Sequence, residues 1–304
     1  MTISQSVLLN TNLPLPLFIR GKVRDTYELG DRLLIVATDR ISAFDSVLPC
    51  GIPDKGRVLS QLSTFWFEQT VNLVPNHMVE AIDDVDCLDS HIPAKNRSPY
   101  PSYLAGRSMI VKKVERIPVE CVVRGYLSGS AWAEYQQQGT VSSLPLPKGL
   151  QESQELPQPL FTPTTKEETG HDQPLRINEM KGLVGESLAE EIREKSLTIY
   201  RYARQYAWSK GIIIADTKME FGLYNNKLIL IDELLTPDSS RFWDAKRYKA
   251  GQPQPSYDKQ PVRDWLVEAG WDKEPPAPVL PTEVIEATTK RYQQAYERLT
   301  GKKL

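Results

Sequence analysis

Cysteine and histidine are scarce in this chain of 304 residues, with three of each at Cys50, Cys87, Cys121, His77, His91 and His171. An odd, widely spaced set of cysteines fits neither a disulfide framework nor a zinc spacing. Three scattered histidines argue against a His-rich metal site. Long apolar runs are missing as well: none approaches the roughly 20 residues that span a bilayer. The opening MTISQSVLLNTNLPLPLFIRGK has neither the basic n-region nor the apolar h-region of a signal peptide. Cytoplasm is therefore the expected compartment. Charge of one sign is not in excess either. The net charge of -2 gives no footprint for nucleic acid and no basic face for a membrane, so an anionic ligand must be held by local basic groups. No repeat of fixed period is present.

What is present is the composition of a soluble globular protein, 40% hydrophobic and 25% charged, long enough for two domains or one large one. The most informative stretch is 212–243. Ile212 to Ile214 lead into Asp216, Lys218 and Glu220, which alternate along an extended chain and so share one face of a strand. Asn225-Asn226 supplies a turn, and Leu228 to Ile231 return to Asp232-Glu233 and then Arg241. Carboxylates and a lysine on a buried hairpin are costly unless something charged compensates, and Mg²⁺ bridging nucleotide phosphates would do so. A solvated strand face with ordinary ion pairs has the same sequence appearance.

Earlier, FIRGKVRDTYELGDRLLIVATDR reads as two strands joined at Gly30-Asp31, with Gly21 and Lys22 near the start of the first. A glycine beside a basic residue there suits phosphates, although a plain surface hairpin reads the same way. The stretches 38–45 and 50–56 have loop compositions. Apolar spacing from Arg57 to Leu73 predicts an amphipathic helix ended by Pro75. Glu115 to Pro118 read as a break between strands, and Arg124-Gly-Tyr-Leu-Ser-Gly-Ser130 leads into a helix with Ser130 as N-cap and Gly139 as its end. Arg124 beside a helix start makes a ready phosphate site; an ordinary capped helix is the alternative. Residues 141–160 read as a loop. A long helix is expected from about Glu186 to Ser209, with Leu188, Ile192, Leu197, Tyr200, Ala203 and Tyr206 toward the core. Two more helices follow the proline-rich connectors, one after Asp258 and one after Thr282. These boundaries suggest three parts: 1–114, 115–245 and 246–304.

Two classes of function survive: an ATP-dependent enzyme, or a nucleotide-binding module without turnover. A binder of phosphate alone has no need for Glu220 and Asp232 beside an anion, whereas with Mg²⁺ they become ligands and phosphoryl transfer becomes natural. The ordered segments GKVRDTYEL, TDRISAFD, GIPDKG, VECVVRGYLSGSAW, LFTPTTK with His171-Asp172 behind it, IADTKMEFG and IDELLTPDSSRFWD are similar to those of the phosphoribosylaminoimidazole-succinocarboxamide synthase (SAICAR synthetase) family. SYDKQPVRDWL resembles the longer form of that family.

The resemblance implies an α+β, ATP-grasp-like fold with a kinase-N-lobe-like first domain that binds nucleotide, a mixed α/β central domain and C-terminal helices packed on the core. It implies a ligase of purine biosynthesis that joins L-aspartate to the carboxylate of carboxyaminoimidazole ribonucleotide (CAIR), using ATP and Mg²⁺. A small-molecule kinase is the rival. Carried over position by position, Gly21, Lys22, Val23, Arg24 and Lys166 would contact ATP, with Glu220 and Asp232 as metal ligands. Asp45, Arg124, Ser130, Lys218 and Arg241 would hold CAIR, and Val111 to Arg116 would offer backbone groups to adenine. On charge grounds Lys218 would neutralise the substrate carboxylate, and Asp216 would position an amine or a metal-bound water. A shared metal also makes a geometric demand: a three-residue loop, Asn225 to Lys227, would set Glu220 across from Asp232.

Overall fold

The computed structural model describes residues 7–44, 46–93, 97, 99–166 and 173–304. Asp45, Glu167, Glu168, His171 and Asp172 lie outside the described residues. The chain divides into two compact units. The first comprises the chain up to Phe67, His77–Lys113 and Tyr257–Leu304; the second comprises Glu68–Asn76 and Val114–Ser256.

In the first unit, β1 (Leu17–Arg20), β2 (Arg24–Leu29) and β3 (Arg32–Ala37) run antiparallel, and Gly30 at φ +71° makes the tight turn between the last two. Gly21 to Val23 connect β1 to β2 instead of beginning a single strand, and the Gly21 N–H donates to the Arg24 carbonyl at 2.8 Å. The stretches 38–45 and 50–56, expected as loops, hold β4 (Arg40–Ala43) and the end of β5 (Ser46–Gly51). The charges of Asp39 and Arg40 misled because both are partnered internally. Arg40 pairs with buried Asp25 at 2.7 Å and Arg107 with Asp39 at 3.1 Å. Meanwhile Ile41, Leu48 and Ile52 bury against Val262, Leu266 and Leu280 from the C-terminal part of the chain. Helix α1 (Lys55–Thr70) follows, then β6 (Met78–Ile82) and β7 (Ser108–Lys112), which complete a sheet of order β1-β2-β3-β7-β6. The helices after Asp258 and Pro281 span Gln260–Glu268 and Thr282–Thr300 and belong to this unit.

The second unit is built on an antiparallel sheet. Strand β8 (Glu115–Tyr126) runs straight through the expected break. Five residues of β8, Arg116 to Glu120, lie against three of its partner, Glu220 to Gly222, so Pro118 sits in a bulge, where its missing N–H costs no ladder bond. Helix α2 (Ser130–Gln138) follows, ending at Gly139 with φ +69°. Its N-cap is Gly129, not Ser130, which is the first helical residue. The stretch read as a loop contains the short β9 (Thr140–Val141) and β10 (Leu144–Pro145) hairpin and then β11 (Glu155–Phe161). The Glu134 carboxylate organises that hairpin, accepting from Thr140, Ser142 and Ser143 at 2.8, 2.9 and 3.1 Å. Strand β12 (Thr164–Thr165) pairs with β8, and helices α3 (Ile177–Val184) and α4 (Glu186–Ser209) lead to β13 (Ile212–Tyr224), β14 (Lys227–Ile231) and β15 (Ser240–Asp244). The sheet order is β11-β8-β13-β14, with β15 beside β13.

Helix α4 covers one face of this sheet. Cys121 of β8 bonds Ser196, and burial, ahead of that bond, pushes its thiol pKa up. The Tyr200 hydroxyl donates to the Ile214 carbonyl at 2.7 Å. Gly125 leaves room for that hydroxyl: a Cβ there would lie 1.9 Å from it. Of the residues expected in the α4 core, Leu188 and Tyr206 are only half-buried; Ser196 and Ile199 are buried instead.

Candidate active site

Register decides which side chains meet. Strand β13 lies antiparallel to β8 with Asp216 opposite Arg124, Lys218 opposite Val122 and Glu220 opposite Glu120. Alternation puts all six on one face, the one turned away from Cys121 and α4. Like charges directly opposite are unfavourable in a sheet. Here the Glu120–Glu220 pair is held by two ammonium groups. Lys166, just after β12, lies 2.8 Å from Glu220 and 3.5 Å from Glu120, and Lys218 lies 2.8 Å from Glu120. Thr164 adds a hydroxyl 3.4 Å from Glu120. Burial alone would lower the Lys166 pKa, but the charges of Glu220, Glu120 and Asp232 and the Glu220 hydrogen bond raise it, so the ammonium stays charged.

The hairpin register corrects the expectation. Glu220 pairs with Ile231 and Tyr224 with Lys227, so the loop is the two residues Asn225-Asn226, at φ +52° and +58°. Two left-handed residues make a type I′ turn, whose twist matches the strands better than a three-residue loop would. Asp232 nevertheless escapes the alternation that would send it to the opposite face. The strand ends at Ile231, and Asp232 itself has φ +68°. Its charge acts on Lys166 together with those of Glu220 and Glu120.

The other end of the face is an anion cradle. Arg124 reaches Thr162 Oγ1 at 3.0 Å, Asp216 at 3.4 Å and Ser130 Oγ at 3.5 Å. Arg241, opposite Asp216 on β15, also pairs with that buried carboxylate. Gly129, at φ +58°, makes room for Arg241: a Cβ would lie 2.5 Å from its Nη2. Two guanidiniums therefore converge on the first turn of α2, where free N–H groups already favour an anion.

Of the residues singled out from the sequence, the structure gathers Arg124, Ser130, Lys166, Asp216, Lys218, Glu220, Asp232 and Arg241 within the second unit. Gly21, Lys22, Val23 and Arg24 belong to the first unit, where Arg40 pins the Gly21 and Lys22 carbonyls at 2.9 and 3.2 Å. Glu120 was missed, although Glu120, Val122 and Arg124 carry the same alternation that exposed Asp216, Lys218 and Glu220.

The SAICAR synthetase family model matches residues 17–278. The chain belongs to the SAICAR synthetase family. It is 55% identical over 298 residues to the phosphoribosylaminoimidazole-succinocarboxamide synthase of Thermodesulfovibrio yellowstonii, covering 98% of this chain and 100% of that one. The Geotalea uraniireducens enzyme of the same name is 51% identical, with 97% and 98% covered. Among solved structures, the SAICAR synthase of Saccharomyces cerevisiae complexed with SAICAR matches at TM-score 0.89 and 46% identity, covering 98% of this chain and 99% of that one. A SAICAR synthetase (Type-2) in complex with ADP matches at TM-score 0.68 and 27% identity, covering 94% and 98%. The fold is thus the α+β, ATP-grasp-like arrangement expected. The SAICAR synthetase reaction is the ATP-dependent ligation of CAIR and aspartate in purine biosynthesis, and this chain is an enzyme of that type.

Among the described residues no three His, Cys, Asp or Glu side chains cluster tightly enough to hold an ion alone. Mg²⁺ does not require that, because it takes one or two carboxylates and fills its shell with phosphate oxygens and water. Glu220 and Asp232, whose charges both act on Lys166, are the carboxylates that could supply such a pair.

Proposed function

We propose that the β8–β13 face of the second unit performs the ligation by phosphorylating the CAIR carboxylate before aspartate attacks. The observation that carries this reading is the placement, on one strand face, of an anion cradle at Arg124, Arg241 and Ser130 and an acidic and basic cluster at Glu120, Lys166, Lys218 and Glu220. A ribotide has two anionic ends, a phosphate and a carboxylate, and such a face can hold both.

Arg124, Arg241, Ser130 and the start of α2 bind the CAIR 5′-phosphate. Asp216, buried between the two guanidiniums, is a positioning residue: it fixes their forks and keeps their charges compatible. That pairing favours positioning over the contact with an amine or metal-bound water inferred from charge alone. Lys218 is more exposed than its partner Glu120 and meets the substrate carboxylate. Lys166 binds ATP phosphate, with Glu120 and Glu220 holding its ammonium in place. Gly21, Lys22, Val23 and Arg24 of the first unit, which we propose as the nucleotide-binding domain, contact ATP as well. Asp45 remains a proposed CAIR contact. Glu220 and Asp232 would hold Mg²⁺, which when bound would supply positive charge to the phosphoryl group in transfer.

A carboxylate is a poor acyl donor. Its oxygen attacks the γ-phosphorus of ATP, the bond to the β-phosphate oxygen breaks, and ADP leaves with the electron pair. The aspartate amine then attacks the acyl carbon, loses a proton, and expels phosphate carrying the former carboxylate oxygen. Water must be kept from the acyl phosphate, which it would hydrolyse. Among the described residues no helix is long and apolar enough to cross a membrane. We place the enzyme in the cytoplasm, with small-molecule substrates as its partners.

The assay that tests this reading measures ADP release with CAIR, with and without aspartate. Sustained turnover only with aspartate supports a ligase; equal turnover without it means that the site is a kinase.

A further inference from the structure

Helix α4 presents a second surface besides the one buried on the sheet. Arg201, Arg204, Gln205 and Trp208 recur at i, i+3, i+4 and i+7, so they share one helical face. With Glu155 of β11 they line a cavity of about 390 Å³, within the range of small-molecule sites. Trp208 is 56% exposed. A single exposed apolar side chain is ordinary, but here the indole lines a concavity with two guanidiniums. Arg204 is committed: it pairs with Glu155, and its guanidinium carbon lies 5.9 Å from the Tyr126 ring centroid. The Arg201 side chain is exposed and makes no hydrogen bond or ion pair among the described residues. Glu155 cancels one of the two positive charges and leaves one.

We infer that this cavity binds a small molecule carrying a flat heteroaromatic ring and an anionic group. The ring stacks on Trp208, as the preference of aromatic faces for offset stacking requires, and the anion pairs with Arg201 through the planar donor fork. The two lie seven positions apart, ~10.5 Å along the helix axis, so ring and anion must sit at opposite ends of the ligand. A nucleoside monophosphate has that shape; a free base or free phosphate has only half of it. The site lies on a helix whose buried side covers the sheet face of Cys121 and Gly125, whereas the proposed catalytic residues lie on the other face.

The test is ¹⁹F NMR on the full chain labelled with 5-fluorotryptophan, with the Trp208 line assigned by its loss in Trp208→Phe. Adenosine 5′-monophosphate, adenosine and inorganic phosphate are titrated separately. The monophosphate should move the Trp208 line saturably, adenosine should need about tenfold more, and phosphate should leave the line in place. Arg201→Ala should weaken the monophosphate response by about tenfold, the order lost with one charge-assisted hydrogen bond. Trp208→Phe and Arg201→Ala should retain CAIR- and aspartate-dependent ADP release, which also excludes misfolding. A Trp208 line that the monophosphate does not move at millimolar concentration overturns the site. So does a shift that is the same in Arg201→Ala, which would mean that the nucleotide acts from elsewhere, or one that phosphate alone reproduces.

Discussion

Glu120 and Glu220 face each other across two strands with Lys166 held between them, an arrangement unfavourable for a sheet unless its charges are used. Glu220 and Asp232 are the proposed metal ligands. Glu220→Gln and Asp232→Asn should each lower ADP release by ~100-fold or more, since even residues behind the ligands matter by 10–100-fold. Far-ultraviolet circular dichroism should be unchanged, and normal turnover in either variant would remove the metal assignment. At the other end, Arg124→Ala should raise the CAIR KM roughly 10- to 100-fold, the range for one lost charge-assisted bond, and leave the ATP KM nearly unchanged. Gly129→Ala should act in the same direction without touching a charge, because its Cβ would displace Arg241. Equal effects on both KM values would place the phosphate elsewhere.

Strands and helices show what the sequence made legible. The alternation of Asp216, Lys218 and Glu220 and the span Glu186–Ser209 are where the pattern puts them, because each is a long periodic segment. The strands around 40–51 and 155–161 were hidden, since dense charge and proline resemble loops until their long-range partners are known. Pro118 had the same effect on β8: a bulge absorbs it, and no local signal announces a bulge. The hairpin loop was misjudged for a different reason. The demand that two carboxylates share a metal was imposed on strand register, whereas the loop is the two residues Asn225-Asn226 and Asp232 takes a left-handed conformation beyond the strand end. Gly125→Ala should force Tyr200 off the Ile214 carbonyl and cost ~1–3 kcal/mol, the range for overpacking. The urea midpoint should fall with an unchanged slope.

For the whole molecule, the charged pairs of the first unit predict acid behaviour. Burial tends to raise the Asp25 pKa, but the Arg40 and Thr11 hydrogen bonds and the Arg40 charge bring it below its ordinary 3.8. A carboxylate depressed in the folded state stabilises fully above its unfolded pKa and loses that contribution as pH falls through the folded one. Melting temperature should therefore drop as pH falls below about 4, and less steeply in Asp25→Asn, which will already be less stable at neutral pH. An unchanged slope would mean that other groups govern the acid limb. The chemistry on the β8–β13 face is open to isotope transfer. With CAIR labelled with ¹⁸O in both carboxylate oxygens, mass spectrometry of the phosphate released during turnover should find one ¹⁸O per molecule. Phosphate without ¹⁸O would contradict an acyl phosphate, and with it the roles given to Lys166, Lys218, Glu220 and Asp232.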